Sequence, residues 1–232
     1  IDSFYYPSRG PGMLWESAAK KVQQMHGEVL RGTTVCGLVL HAGKKFPWEV
    51  SYRLPNGDRA QIFCEHIISS APLKQVIDFL SPGADCSQNA QQLKYRDFIL
   101  VALMFKGDEI FQDNWLYIHD PDVKVGRIQN FKSWSAEMVP GLEYSCYGME
   151  YFCNESDKEW KMSDSELMLM AKKEFGKIFS LPAPDIFDAV VVRQPKAYPV
   201  YDDGYAENIS VIKQEISKRY PGLHLVGRNV MH

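Results

Sequence analysis

The order of helix-like and strand-like segments limits the folds open to this 232-residue sequence. Apolar residues at helical spacing predict helices near residues 13–25, 72–80 and 205–220. Runs rich in Val, Leu, Ile and Thr, such as residues 28–40, predict strands between them. The segments do not alternate regularly as strand, helix and strand, which argues against a sheet built from repeated parallel units. We therefore predict an α+β (mixed α/β) fold.

Local signals define further elements. A turn at residues 55–57, Pro-Asn-Gly, predicts a hairpin, and residues 97–105 form a continuously apolar strand. Residues 144–153 alternate as another strand does. Ser163 and Glu166 have the spacing of a capping box and predict the start of a helix. The middle of the chain, residues 76–190, therefore has its own sheet and helix and is predicted to be a domain inserted between the two end segments.

Composition and charge exclude several classes of protein. The chain carries 26 Lys and Arg against 29 Asp and Glu, and it has no long basic tract, so nucleic-acid binding is not predicted. No apolar run reaches the roughly 18–20 residues of a membrane span. Five scattered cysteines without a C-x-x-C pair favour reduced thiols in a cytoplasmic protein. The six histidines lack metal-ligand spacing, so no metal site is predicted.

One predicted hairpin, residues 114–134, combines side chains that suit ligand binding. Residues two apart on a strand lie on one face of a sheet, so Trp115, Tyr117 and His119 are predicted to point the same way. Arg127, on the returning strand, lies opposite or near them. Aromatic rings stack on a base or sugar, and a guanidinium binds a diphosphate through two hydrogen bonds. The same residues also fit a purely structural cation–π cluster, and spacing alone favours this structural interpretation.

Four motifs in the same order resemble the flavoproteins of the amine-oxidase and UDP-galactopyranose mutase superfamily, including protoporphyrinogen-oxidase-like bacterial relatives. They span most of the chain. "YPSRGPGMLW" resembles the family's "YP-x-x-G-G-x-G-x-(I/L)-W" segment, although Pro11 replaces a glycine. "WLYIHDPDVKVGRIQNF" resembles its tryptophan-to-arginine hairpin, "AYPVYDD" its "YGYPTP" segment, and "LHLVGRNVMH" its "GIYSRGRFG" segment.

The resemblance implies a role for each matching residue. Trp115 and Tyr117 would line a substrate pocket, while Arg127 and Tyr198 would hold a substrate diphosphate. The implied flavin contacts are the backbone of Val35, at the adenine, together with Gly227 and Arg228. The implied cofactor is FAD, and the resemblance gives no catalytic residue.

The resemblance also implies a division of the chain. Residues 1–75 would be part of an FAD-binding domain, residues 76–190 a substrate-binding domain, and residues 191–232 the return into the FAD-binding domain. The family's N-terminal dinucleotide-binding unit has no counterpart here, and neither does the segment expected after residue 232. We therefore expect a central fragment of a longer flavoprotein, weak in FAD binding and inactive by itself. Surfaces meant for the missing domain would favour self-association.

Two functions remain open from the sequence. The first is part of an FAD-dependent oxidoreductase or mutase-like enzyme acting on a small substrate, with a nucleotide sugar as one candidate. The second is a non-catalytic binding module that recognises a nucleotide sugar or a protein partner through the hairpin. Neither the substrate nor the choice between mutase and oxidase chemistry follows from the residues.

Overall fold

The computed structural model describes residues 4–107, 109–181 and 186–228. Seven α-helices lie within these ranges: α1 (Gly12–Gln24), α2 (Leu73–Phe79), α3 (Ser87–Gln92), α4 (Phe131–Trp134), α5 (Lys158–Lys161), α6 (Asp164–Ile178) and α7 (Tyr205–Arg219). Eleven strands accompany them: β1 (Thr34–Leu40), β2 (Trp48–Arg53), β3 (Arg59–Cys64), β4 (Ile67–Ser69), β5 (Leu80–Ser81), β6 (Tyr95–Lys106), β7 (Trp115–Tyr117), β8 (Arg127–Asn130), β9 (Tyr144–Cys153), β10 (Ile186–Pro199) and β11 (Leu223–Leu225). The predicted α+β class is confirmed.

The chain divides into two compact units. Unit 1 comprises Ile1–Val29 and Asp97–Ala197, and unit 2 comprises Leu30–Arg96 and Tyr198–His232. These boundaries differ from the sequence-based ones, because the first 29 residues group with the middle of the chain and residues 76–96 do not. Which unit serves a cofactor and which serves a substrate stays a prediction.

Unit 1 is built on a five-stranded sheet with the strand order β10-β6-β9-β8-β7. Strands β6 and β9 pair antiparallel over ten residues, from Asp97 opposite Cys153 to Lys106 opposite Tyr144. Alternate residues of β6 and β9 turn to one side and are buried with Leu167, Ala171 and Phe175 of α6. We call this side the core face and the opposite side the open face.

Helix α6 begins where the sequence predicted. The Ser163 hydroxyl accepts a hydrogen bond from the Glu166 amide, and the Glu166 carboxylate accepts one from the Ser163 amide. This reciprocal pair satisfies two backbone N–H groups that the first turn of a helix leaves without partners. The capping box is therefore confirmed, and it fixes the helix that covers the core face.

Unit 2 contains a sheet with the strand order β3-β2-β1-β5 and a two-stranded parallel sheet of β4 and β11. The hairpin of β2 and β3 confirms the turn predicted at residues 55–57. Helices α2, α3 and α7 contribute to its core, in which Trp48 is fully buried and donates from Nε1 to the Pro221 carbonyl at 2.9 Å. Ile209, Ile212 and Ile216 are the buried stripe of α7.

One predicted strand begins later than expected. Residues 28–33 were predicted to belong to β1, but the strand starts at Thr34. Gly32 has a φ of 67°, in the left-handed region that ends an extended segment and that glycine adopts at little cost. The strand predicted from the Val, Leu and Thr content of residues 28–40 was therefore too long at its N-terminal end.

Helix α1 confirms its predicted position yet buries none of its residues. The exposed apolar side chains in and directly after this helix are Leu14, Trp15, Val22 and Met25.

No helix in the described ranges is both long and apolar enough to cross a membrane.

Candidate functional site

The hairpin of β7 and β8 brings three predicted site residues together on the open face of unit 1. Tyr117 pairs with Arg127 and Trp115 pairs with Gln129 in the antiparallel register. Trp115 and Tyr117 are both exposed, with relative accessibilities of 41% and 60%. Cζ of Arg127 lies 5.9 Å from the centre of the Tyr117 ring, which is the contact that the structural cation–π interpretation requires. His119 is exposed and follows the end of β7.

Arg127 is held by a buried carboxylate that the sequence analysis missed. Its Nε donates to Oε2 of Glu150 at 2.5 Å. The second oxygen of that carboxylate accepts from the amide of Gln129. The Glu150 side chain is 1% exposed and that of Arg127 is 22% exposed. The two charges compensate each other, so the group formed by Arg127, Gln129 and Glu150, here named the neutral triad, has no net charge.

The sheet register explains the neutral triad. Arg127 lies directly opposite Glu150 on β9, and Gln129 lies two residues along β8 on the same face. The alternation of β9 could have indicated this, because Glu150 is the only charged residue among the alternate positions that face the open side. The pattern of the hairpin formed by β7 and β8 could not have indicated the contact with Glu150, because the turn of that hairpin does not join β8 to β9.

A stack of aromatic rings supports Trp115. Its ring lies 5.4 Å from that of Trp134 at an interplanar angle of 15°, and Trp134 in turn stacks on Tyr6 at 4.9 Å. Asn130, fully buried, caps the short helix α4 by accepting from the Ser133 amide, which sets the direction of Trp134. The stack holds Trp115 in one orientation at the sheet edge. Sequence reasoning did not connect Trp134 or Tyr6 with the site.

Gly148 allows α4 to approach the open face. A Cβ atom at this position would lie 2.9 Å from Cδ1 of Leu100 and 3.0 Å from the Phe131 ring. Real Cβ atoms essentially never approach as closely as the first distance, and the second is tighter than nine in ten real Cβ contacts. A glycine in the middle of β9 thus creates the space that the first residue of α4 fills.

A second buried carboxylate fixes the loop that leads into β8. Glu174 on α6 accepts hydrogen bonds from the amides of Lys124 and Val125 at 2.7 and 3.1 Å, and from the Tyr151 hydroxyl at 3.2 Å. Burial, together with the Glu174 carboxylate, raises the pKa of Tyr151. Because Val125 lies two residues before Arg127, Glu174 anchors the start of the strand that carries the site.

The open face offers no reactive thiol. Cys146 lies on this face of β9, and burial raises the pKa of its thiol to about 11. The thiolate is the nucleophilic form of cysteine, so Cys146 is protonated and unreactive near neutral pH. Within the described ranges, no three His, Cys, Asp or Glu side chains are grouped so that they could hold a metal ion.

The remaining predicted residues lie in unit 2. Cζ of Arg228 lies 4.8 Å from the centre of the Tyr198 ring, directly after Gly227, which has a φ of 87°. Val35 is exposed on the first half of β1. In the described part of the sheet, β5 pairs only with Leu38 and Val39, so no strand covers the backbone of Val35 on that side. Residues 229–232, the rest of the "LHLVGRNVMH" motif, lie outside the described residues.

Comparisons with known proteins find solved structures of similar fold. No protein-family model matches the sequence, and no curated protein matches it. Reduced UDP-galactopyranose mutase has a similar solved structure, with a TM-score of 0.75 and 16% identity over 97% of this chain and 47% of that one. A candidate protoporphyrinogen oxidase from Exiguobacterium sp. 255-15 has a TM-score of 0.71 and 15% identity over 92% of this chain and 46% of that one.

A third solved structure, the PF1083 protein from Pyrococcus furiosus, is less similar, with a TM-score of 0.55 and 11% identity over 90% of this chain and 52% of that one. The chain thus spans about half the length of each of these three solved structures. At these identities the likeness shows the fold alone.

Proposed function

We propose that this chain is part of a flavoenzyme whose substrate binds on the open face of unit 1. The observation that carries the proposal is the hairpin that places the exposed rings of Trp115 and Tyr117 beside Arg127. The fold shared with UDP-galactopyranose mutase supports the enzyme class. A small substrate that contains a flat ring or a sugar suits this face, and a nucleotide sugar is one candidate.

Each residue of the face has a separate task in this proposal. Trp115, fixed by its stack on Trp134, supplies a rigid surface for a ring. Tyr117 adds a second ring, and Arg127 donates hydrogen bonds to polar groups of the substrate. The role of Arg127 and Tyr198 as diphosphate ligands stays a prediction of the resemblance.

The residues of unit 2 are compatible with a flavin. The uncovered backbone of Val35 could hydrogen-bond to the edge of a flat base, and the guanidinium of Arg228 could pair with a phosphate. When bound, a flavin supplies two-electron chemistry that protein side chains lack. An absorbance spectrum of the purified full-length protein tests this part directly. A protein that binds uridine but has no flavin band would instead be a binding module.

Substitution of the exposed rings tests the substrate face. Trp115→Leu and Tyr117→Leu should each weaken uridine binding about ten-fold, because stacking of one base on an aromatic side chain contributes roughly 1–3 kcal/mol. Isothermal titration calorimetry on the full-length protein measures the affinity. Tyr5→Leu is the matched control, since Tyr5 is another exposed tyrosine of unit 1 and lies outside the described contacts of the hairpin. Unchanged affinity in both hairpin variants would contradict the proposal.

A further inference from the structure

The neutral triad bears on the charge of the ligand. Glu150 is almost completely buried, and its carboxylate is committed to Arg127 through one oxygen and to Gln129 through the other. An anion that approaches the guanidinium of Arg127 therefore also approaches the negative charge directly behind it. The attraction of the arginine and the repulsion of the glutamate act on the anion together.

The size of this opposition follows from distance. A ligand anion in contact with the guanidinium would lie roughly 6 Å from the Glu150 carboxylate. At an effective dielectric constant of about 20, and with screening by solvent, the repulsion between the two anions is enough to change the affinity about ten-fold. Hydrogen bonds from the guanidinium to uncharged acceptors are not opposed in this way. The neighbouring rings of Trp115 and Tyr117 also favour an uncharged, ring-bearing group.

We infer that Glu150 determines the charge that the open face accepts. The ligand group at Arg127 is then uncharged, such as the hydroxyls of a sugar or the carbonyl of a ring, in preference to a diphosphate. This inference rests on the proposed substrate face and narrows its substrate class. It assigns Glu150 as a specificity-determining residue that acts through Arg127.

Uridine and UDP are the matched probes, because they share a ring and a sugar and differ by a diphosphate. For the wild-type full-length protein, UDP should bind no more tightly than uridine, and the ratio should change little with salt, because the triad has no net charge. Glu150→Gln keeps the shape and an acceptor oxygen but removes the charge. It should tighten UDP about ten-fold and leave uridine within about two-fold.

Two further variants separate charge from geometry. Glu155→Gln removes a charge from an exposed glutamate beyond the end of β9, and neither affinity should change. Gln129→Met removes the second anchor of the carboxylate without altering the charge, so it should weaken both probes equally. Only an effect of charge changes the ratio of the two affinities.

Three results would overturn the inference. The first is an unchanged ratio in Glu150→Gln, which would make Glu150 structural only. The second is a wild-type protein that binds UDP about a hundred-fold more tightly than uridine, with a steep salt dependence; this result needs no variant and would show that Arg127 acts as a net cation. The third is a wild-type protein that binds neither probe, which would remove the proposed substrate face itself and is thereby distinguishable from the other two.

Discussion

The two faces of the five-stranded sheet in unit 1 are made from alternate residues of the same strands. Each face has a buried carboxylate, and the two carboxylates have different kinds of partner. Glu174, on the helix that covers the core face, accepts only from neutral donors, two backbone amides and a tyrosine hydroxyl. Glu150, on the open face, is paired with a cation. The first arrangement joins a loop to a helix, whereas the second fixes a side chain that still reaches solvent.

The comparison teaches how to separate a structural carboxylate from a functional one. Both glutamates are buried, so burial alone does not distinguish them. The distinction lies in the partners. The donors to Glu174 are inaccessible or part of the main chain, while the guanidinium that faces Glu150 lies beside two exposed aromatic rings. A buried charge whose partner borders an exposed aromatic surface is the better candidate for a ligand site.

The two faces should differ most in how much a substitution lowers the free energy of unfolding. Phe175 is fully buried on the core face, with its ring 4.9 Å from that of Phe105 and 5.2 Å from that of Tyr147. Phe175→Ala should lower the free energy of unfolding by about 3–5 kcal/mol, because it leaves a cavity. Tyr117→Ala on the open face should change it by less than about 0.5 kcal/mol. Urea denaturation measures both, and similar losses for the two variants would abolish the contrast.

The two carboxylates should differ when they are removed. Glu174→Ala leaves two backbone amides and a tyrosine hydroxyl without their acceptor and should cost about 2–3 kcal/mol. Glu150→Ala should cost less, about 1–2 kcal/mol, because the long Arg127 side chain is partly exposed and can turn its charge toward water. The same denaturation experiment compares them. A larger loss for Glu150→Ala would mean that Arg127 is confined in the interior.

The smallest of these effects concerns alkaline pH. The pKa of Tyr151 is raised by burial and by Glu174, so the folded state keeps a proton that the unfolded state loses above a pH of about 10. The contribution of Tyr151 is therefore fully present below that pH and declines as the pH rises further. Tyr151→Phe should cost about 1 kcal/mol at pH 7 for the lost hydrogen bond. It should also make the decline above pH 10 shallower.

Unfolding curves recorded at intervals from pH 7 to pH 11 follow this decline. Other buried tyrosines, such as Tyr147, also have a raised pKa, so the wild-type protein and the variant are compared at each pH. Parallel curves for the two proteins would show that Tyr151 does not contribute to the alkaline loss.

The sequence predicted most of the local structure and little of the site's electrostatics. The hairpins, the capping box and the long central strands follow from patterns within about twenty residues, and the structure confirms them. The neutral triad depends on the pairing of β8 with β9, whose residues are separated by α4 and a loop. A pattern of alternation shows which residues share a face, but it does not show which strand lies alongside.

The stack beneath Trp115 was missed for a related reason. Tyr6 and Trp134 are far apart in sequence, and neither belongs to a repeating pattern. Only the fold brings them together. The strand predicted for residues 28–33 was wrong for a different reason. It was predicted from composition, whereas Gly32 has a left-handed conformation that ends an extended segment.

Gly148 has a consequence for how this sequence can vary over evolutionary time. Any other residue there would require the Leu100 side chain to shift and the Phe131 ring to move by a few tenths of an ångström. The cost of a replacement at position 148 therefore depends on the residues at positions 100 and 131, and smaller residues there should lower it. The effects of substitutions at positions 100, 131 and 148 should therefore not be additive. A pairwise mutational scan would show this epistasis.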